Sequence, residues 1–198
     1  MNASINMMHT RKVIRMKIAV INGSSRENGN TDALTQKALD GIRYTSFYLK
    51  NYKINPIDDQ RHVAGGFDKV EDDYDELISQ VLQHDVLIFA TPVYWYGMSG
   101  VMKNFVDRFS QSLRDEALNF KKSMSDKKAY VITVGGDHPR IKALPLIQQF
   151  QYIFDFLGTE FAGYLIGEAN APTEIFSDAL SLENALTFNK ALLKHTEK

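Results

Sequence analysis

The apolar residues of this chain occur in two alternating patterns. Five short apolar runs predict strands, and they fall at residues 17–22, 45–52, 85–91, 129–134 and 161–166. The segments between them carry an apolar residue every three or four positions, which is typical of an amphipathic helix. Strands that alternate with helices form a parallel sheet with helices on both faces. The pattern therefore predicts an α/β fold.

The helical spacing predicts five helices. The second has the clearest period, because the apolar residues from Tyr74 to Leu82 form one stripe behind an acidic start at Asp72. The last is expected to run from Ser177 to about His195. We find no internal repeat or linker, so we predict one domain over residues 16–198. Residues 1–15 contain no acidic residue, and we expect them to form a disordered extension, with Met16 as an alternative start.

The first predicted strand leads into a loop of Gly, Ser and Asn, and then into a helix. Such a loop aims backbone N–H groups and the positive end of the helix dipole at one point, which favours an anion. The polar side chains able to converge there are Ser24, Ser25, Arg26, Asn30 and Thr31. The loop predicts a phosphate site, although an ordinary strand–helix turn with a Thr or Asp cap has a similar composition.

Neither common nucleotide motif matches this loop. A Walker A loop needs a Lys before its Ser or Thr, but Gly23 to Gly29 is one residue too long and Asn30 replaces the Lys. A Rossmann dinucleotide loop needs three glycines, and only Gly23 and Gly29 are present. A loop for a single terminal phosphate remains.

Two further loops fall at the same edge of the predicted sheet, because the carboxyl ends of parallel strands face one way. Pro92–Gly97 offers three consecutive aromatic side chains, which cannot all face one core and so form a surface for a flat heterocycle. Gly135 and Gly136 lack a Cβ and let backbone N–H groups approach such a ring. One phosphate and one planar ring describe a mononucleotide, and backbone donors suit flavin mononucleotide (FMN) best.

Composition excludes several classes of function. The chain has no Cys, which rules out disulfides, thiol nucleophiles and iron–sulfur ligation. Its net charge is −1 and we find no large basic face, so we predict no nucleic-acid partner. No apolar run approaches the length that spans a bilayer, and we predict a cytoplasmic protein with no membrane partner. The acidic residues 72–76 suit a helix N-terminus rather than a calcium loop, so no metal site is predicted.

Two segments together resemble the NAD(P)H-dependent FMN reductase family. Gly23–Thr31 resembles the G-S-x-R-x-x-G-N-T loop of that family. Thr91–Gly100, with the following Lys103 and Asp107-Arg108, is similar to its P-V-Y-W…S-G…K…D-R segment. The resemblance covers residues 16–193. It implies a flavodoxin-like three-layer sandwich with strand order 2-1-3-4-5, bound FMN, and a homodimer with the flavin near the subunit interface.

The resemblance also implies roles for single residues. Ser24, Arg26, Asn30 and Thr31 would hold the phosphate, with Ser25 in the same loop. Pro92, Val93, Tyr94 and Trp95 would line the isoalloxazine ring, and Gly135 and Gly136 would contact its far edge. We assign Lys103, Asp107 and Arg108 to helix structure or the interface. No side chain is given a catalytic role; His138 is an alternative proton donor, although a lone loop His is more often solvated.

The activity implied is electron transfer from NADPH or NADH, through FMN, to a small acceptor such as a quinone, a nitro or azo compound, or free flavin. Related iron–sulfur flavoproteins carry Cys residues where residues 51–72 here have none, so electrons must pass without a cluster. A flavodoxin-type carrier is one alternative, which the net charge of −1 disfavours. A flavin-binding redox sensor is another, favoured only by the long connection over residues 55–73. That connection could also shape the acceptor pocket or the dimer.

Overall fold

The structure is a computed structural model that describes residues 16–196. Five parallel strands form one sheet in the order β2–β1–β3–β4–β5. The strands are β1 (Ile18–Asn22), β2 (Thr45–Tyr48), β3 (Val86–Pro92), β4 (Lys128–Gly135) and β5 (Glu160–Glu168). The predicted fold class and strand order are confirmed. Residues 1–15, where we expected a disordered extension, lie outside the described residues.

Eight α-helices and two 3₁₀ helices occur between residues 16 and 196. The α-helices are α1 (Asn30–Ala38), α2 (Tyr74–Val81), α3 (Gly100–Asp107), α4 (Phe109–Ser112), α5 (Phe120–Ser125), α6 (Pro139–Lys142), α7 (Leu144–Leu157) and α8 (Ala179–Thr196). The 3₁₀ helices are Leu49–Asn51 and Glu174–Ser177. The predicted count of five helices is wrong, because α4, α5 and α6 have only four to six residues each. So short a helix shows no full period in the sequence.

The second strand ends earlier than the sequence predicts. We expected it to run to Tyr52, but it ends at Tyr48 and the chain turns into the 3₁₀ helix Leu49–Asn51. Phe47 and Leu49 are both buried, so the alternation of apolar and polar residues continues through the change of backbone. Alternation reports which side chains point inward, and it does not by itself separate a strand from a tight turn.

The two faces of the sheet build two separate cores. Alternate strand residues such as Val20 and Ile88 pack against α1 and α8 on one face. On the other face, Ile21 and Phe89 join the core formed with α2, α3, α5 and α7. The Phe89 ring lies 5.3 Å from the rings of two α7 residues, Phe150 and Phe154. The two cores hold the strands in place. The loops that follow β1, β3 and β4 therefore project from the same edge of the sheet.

None of the helices described for residues 16–196 is both long enough and apolar enough to cross a membrane. Within the same residues, no cluster of three or more His, Cys, Asp and Glu side chains is arranged to hold a metal ion.

Candidate FMN site at the carboxyl edge of the sheet

The loop between β1 and α1 is held from inside the protein by Asn22. Its side-chain oxygen accepts a hydrogen bond from the Ser24 N–H at 2.7 Å, and its amide nitrogen donates to Asp32. The Gly23 N–H donates to the Ala90 carbonyl at 2.8 Å, which fastens the loop to the neighbouring strand. The Ser24 hydroxyl and the backbone of Arg26 close a tight turn at 3.1–3.2 Å. The loop therefore has one defined shape, which an anion site requires.

Asp32 is a buried carboxyl group in the first turn of α1. Burial raises its pKa, and hydrogen bonds from the Asn22 amide and from the N–H groups of Gly29 and Asn28 partly offset that rise. Because its oxygens bind the loop backbone, Asp32 supports the loop instead of facing a ligand. The first N–H groups of α1 have no acceptor within the helix and remain suited to a phosphate.

The five predicted phosphate-loop residues have different positions. Ser24, Arg26, Asn30 and Thr31 all line one cavity of about 280 Å³, which we call the first cavity. The Asn30 amide also donates to the Ala171 carbonyl at 2.8 Å and so ties this loop to the β5–α8 connection. Ser25 does not line the first cavity; its hydroxyl lies 3.4 Å from that of Tyr94.

The aromatic loop after β3 forms a tight hairpin turn. Tyr94 and Gly97 exchange backbone hydrogen bonds at 2.9 and 3.0 Å, and the two residues between them have φ angles of 49° (Trp95) and 63° (Tyr96). Pro92, Val93 and Tyr94 line the first cavity. Trp95 is 94% exposed and lines an adjoining second cavity of about 170 Å³. The expectation that these aromatic side chains lie outside the core is confirmed.

The loop after β4 completes both cavities. Gly135 and Gly136 each line both the first and the second cavity. Val93 also lines both cavities. A Cβ on Gly136 would lie 2.8 Å from the Asn170 Cβ, so glycine allows the β4 and β5 loops to approach closely. His138 adopts a left-handed conformation before α6, is exposed, and lines neither cavity. The geometry gives no support to a proton-donor role for His138.

Two groups at the site carry no role in the sequence analysis. Asn170 and Ala169 follow β5 and line the first cavity. Because the carboxyl ends of parallel strands meet at one edge of the sheet, the loop after β5 lies at that edge as well. Ser99 is also buried: its hydroxyl donates to the Gly23 carbonyl at 2.6 Å and accepts from the Met102 N–H at 3.3 Å. It caps α3 and joins that helix to the phosphate loop.

A larger cavity lies elsewhere. It measures about 560 Å³ and is lined at the amino ends of β1 and β2 by residues such as Lys17, Tyr44 and His84. No strand–helix loop opens there, and ligands of parallel α/β sheets bind at the opposite edge. Volume alone therefore does not identify the site, and we assign function to the two adjoining cavities.

The residues around these two cavities fit FMN chemically. One end offers the start of α1 and the Arg26 guanidinium, which suit a phosphate. The other end offers aromatic side chains and the Gly135–Gly136 backbone, which suit a flat ring with polar edges. Because Gly136 has no Cβ, its backbone lies close to the Asn170 side chain, where a Cβ would be only 2.8 Å from the Asn170 Cβ.

Comparison with known proteins gives the same assignment. The family model for NADPH-dependent FMN reductase matches residues 16–158. The chain belongs to this FMN reductase family. It is 54% identical over 183 residues to the Bacillus subtilis (strain 168) protein YwqN, which is named as an NAD(P)H-dependent FMN-containing oxidoreductase. That match covers 92% of this chain and 99% of YwqN. The predicted family, enzyme class and cofactor pair are confirmed.

Solved structures related to this FMN reductase family member share its fold. The structure of the Trp repressor binding protein from Bacillus subtilis has a TM-score of 0.72 and 48% identity, covering 85% of this chain and 94% of its own. An FMN-dependent NADH-azoreductase from Bacillus anthracis, solved with FMN, has a TM-score of 0.62 at 14% identity. That match covers 89% of this chain and 99% of the azoreductase, and it supports the flavodoxin-like fold alone.

Proposed function

We propose that this chain is an NAD(P)H-dependent, FMN-containing oxidoreductase that reduces a small acceptor, such as a quinone, a nitro or azo compound, or free flavin. Membership of the FMN reductase family establishes the reaction class. The observation that carries the proposal is the meeting of three loops at one edge: the phosphate loop, the aromatic turn and the Gly135–Gly136 loop line two adjoining cavities.

The proposed binding roles follow the chemistry of each loop. Arg26 supplies a charge, and the Thr31 hydroxyl and the α1 N–H groups supply donors for the phosphate. Ser24 lines the same cavity and shapes the loop, because its hydroxyl donates to the Arg26 carbonyl. Ser25 and Asn30 belong to the same loop, and the Asn30 side chain also orders the β5–α8 connection. Pro92, Val93, Tyr94 and Trp95 form the apolar wall for the ring. Gly135 and Gly136 present backbone donors to its polar edge.

When bound, FMN would supply the chemistry of hydride and electron transfer between the nicotinamide and the acceptor. The chain's own residues bind and orient the cofactor and the reactants, and they exclude water. No side chain is required to form a covalent bond. An exposed turn beside the second cavity leaves room for two reactants to use one site in succession. This agrees with the lack of an assigned catalytic residue.

Steady-state kinetics test the proposal. Protein loaded with FMN, freed of excess cofactor and kept anaerobic should turn over NADPH or NADH only when an acceptor is added. Parallel lines in double-reciprocal plots of the initial rates should indicate alternate use of one site. A quinone, a nitroaromatic and an azo dye, compared at matched concentrations, rank the acceptor classes. Nicotinamide oxidation that no acceptor of these classes stimulates would contradict the proposed function.

We also infer a homodimer that works in the cytoplasm, where reduced nicotinamides are available. A surface groove of about 410 Å³ lies between α3–α4 and α7, and its α7 residues Tyr152 and Phe156 are each 62% exposed. Exposed aromatic residues at a groove favour contact with a second copy. Light scattering at several concentrations measures the dimer, and a Phe156→Glu variant should shift it to monomer. A monomer in the unmodified protein would contradict the inference.

A further inference from the structure

The aromatic turn holds its backbone in a conformation that aromatic residues seldom adopt. Trp95 and Tyr96 are consecutive, and both have positive φ angles, 49° and 63°. Tight hairpin turns of this kind normally use Asn or Gly at these positions. A left-handed non-glycine residue persists only where its surroundings hold it in place. The turn therefore needs an external restraint.

Three side chains supply that restraint, and we call them the loop clamp: Tyr96, Asp137 and Lys142. The Tyr96 hydroxyl donates to an Asp137 oxygen at 2.9 Å. The Lys142 ammonium donates to both Asp137 oxygens at 2.7 and 2.6 Å, and it lies 5.9 Å from the centre of the Tyr96 ring. The clamp joins the turn after β3 to the loop and helix after β4.

The effect of the clamp is local. The side chains of Asp137 and Lys142 are 53% and 43% exposed, and an ion pair this accessible to solvent contributes little to the stability of a whole domain. Its position is nevertheless specific, because all three clamp residues line the second cavity together with Trp95. A restraint at this place holds the backbone from which the exposed Trp95 indole projects beside that cavity.

We propose that Asp137 is a positioning residue: it holds the strained turn through Tyr96 and keeps the Trp95 indole as a fixed wall for a planar aromatic acceptor. A wall that is already ordered lowers the entropy cost of binding a flat molecule. The proposal rests on the proposed function, since it takes the second cavity to be part of the FMN and acceptor site. Asp137 acts through the turn and is not assigned a contact with either reactant.

The sequence provides a direct probe, because Trp95 is the single tryptophan of the chain. Its fluorescence anisotropy reports the mobility of this turn and of no other segment. Asp137→Ala should lower that anisotropy in the FMN-free protein and raise the KM for a quinone about three- to tenfold, the effect of losing one or two hydrogen bonds. The kcat should change less than about twofold, and the FMN Kd should rise less than the quinone KM does, because the phosphate loop that carries the charged contacts is untouched. Asp137→Asn keeps one acceptor oxygen and should restore part of both signals.

Two further variants sharpen the test. Tyr96→Phe removes only the hydroxyl donor and should also lower the Trp95 anisotropy and raise the quinone KM. It therefore tests the proposal even if Asp137→Ala does not fold. Asp126→Ala is the matched control, because Asp126 forms an exposed ion pair with Lys122 at 2.9 Å away from both cavities. It should leave Trp95 anisotropy and quinone KM unchanged.

Unchanged anisotropy and unchanged quinone KM in both Asp137→Ala and Tyr96→Phe would overturn the proposal. Failure of the proposed function looks different. In that case the wild-type protein would retain no flavin absorbance after loading with FMN and removal of the excess, while the anisotropy of the FMN-free protein would still report whether the clamp holds the turn.

Discussion

Arg108 and Asp72 form an ion pair that is closed off from solvent, with Nη1 and Oδ2 2.6 Å apart and side chains that are 1% and 0% exposed. Asp72 also accepts the N–H groups of Asn55 and Tyr74. The Arg108 guanidinium lies 4.5 Å from the centre of the Tyr74 ring and donates to the Asn55 carbonyl. The pair therefore anchors both ends of the long connection over residues 55–73 to α3 and α2.

Removing one partner of this pair should be strongly destabilising. Asp72→Ala leaves a buried guanidinium without its counter-charge, and we expect the free energy of unfolding to fall by about 3–5 kcal/mol. Urea denaturation at pH 7 measures the loss. The exposed pair between Lys122 and Asp126 is the control, and Asp126→Ala should cost less than about 1 kcal/mol. Equal losses in the two variants would contradict the structural account of Asp72.

Acid should weaken the same pair. Burial alone would raise the pKa of Asp72, but hydrogen bonds from Arg108, Asn55 and Tyr74 outweigh it and hold the pKa below its usual value. A lowered pKa in the folded protein means that this stabilisation is complete above the unfolded value of about 3.9 and is lost as the pH falls through the folded value. Denaturation curves from pH 7 to 3 should show a smaller acid loss in Asp72→Ala than in wild type. Parallel curves would contradict the assignment.

The phosphate site predicts a specific effect of one charge. Arg26→Ala removes a charge-assisted contact of about 1.5–3 kcal/mol, so the Kd for FMN should rise roughly 10- to 150-fold. Quenching of flavin fluorescence on binding measures it. Arg43→Ala is the matched control, because Arg43 is exposed at the opposite edge of the sheet. If both variants bind FMN as wild type does, Arg26 has no phosphate role.

A substitution at Asn22 tests how far the phosphate loop depends on the hydrogen bonds that support it from inside the protein. Asn22→Asp keeps the size of the side chain but replaces the amide that donates to Asp32 with a second carboxylate. Like charges at this distance repel, and we expect a stability loss of about 1–3 kcal/mol together with weaker FMN binding. Thermal unfolding and flavin titration measure the two effects. A variant that binds FMN normally at pH 7 would show that the loop tolerates the change.

The close packing of Gly136 against Asn170 leaves no room for a larger side chain at position 136, beside both cavities. A methyl group there would meet the Asn170 side chain at 2.8 Å, so Gly136→Ala should displace one of the two loops and weaken FMN binding about tenfold. Gly100→Ala is the control, since a Cβ at Gly100 meets nothing within 4 Å. An FMN Kd that is the same for these two variants would mean that the close approach is not needed for binding.

Much of this architecture could be predicted from the sequence, because long apolar patterns survive tertiary packing. The run 85–91 and the stripe from Tyr74 to Leu82 gave β3 and α2 nearly to their ends. The three loops followed from the edge rule. Tertiary partners were the missing part: Arg108 and Asp72 are 36 residues apart, and no local period links them. The clamp between Tyr96 and Asp137, 41 residues apart, was missed for the same reason.

Anaerobic reduction of the bound flavin tests the central claim most directly. Protein loaded with FMN and freed of excess cofactor should show a flavin absorbance band that bleaches on addition of NADPH or NADH and returns on addition of a quinone. The two donors are ranked by their bleaching rates. A flavin band that neither donor bleaches, or protein that retains no FMN after loading, would contradict the account.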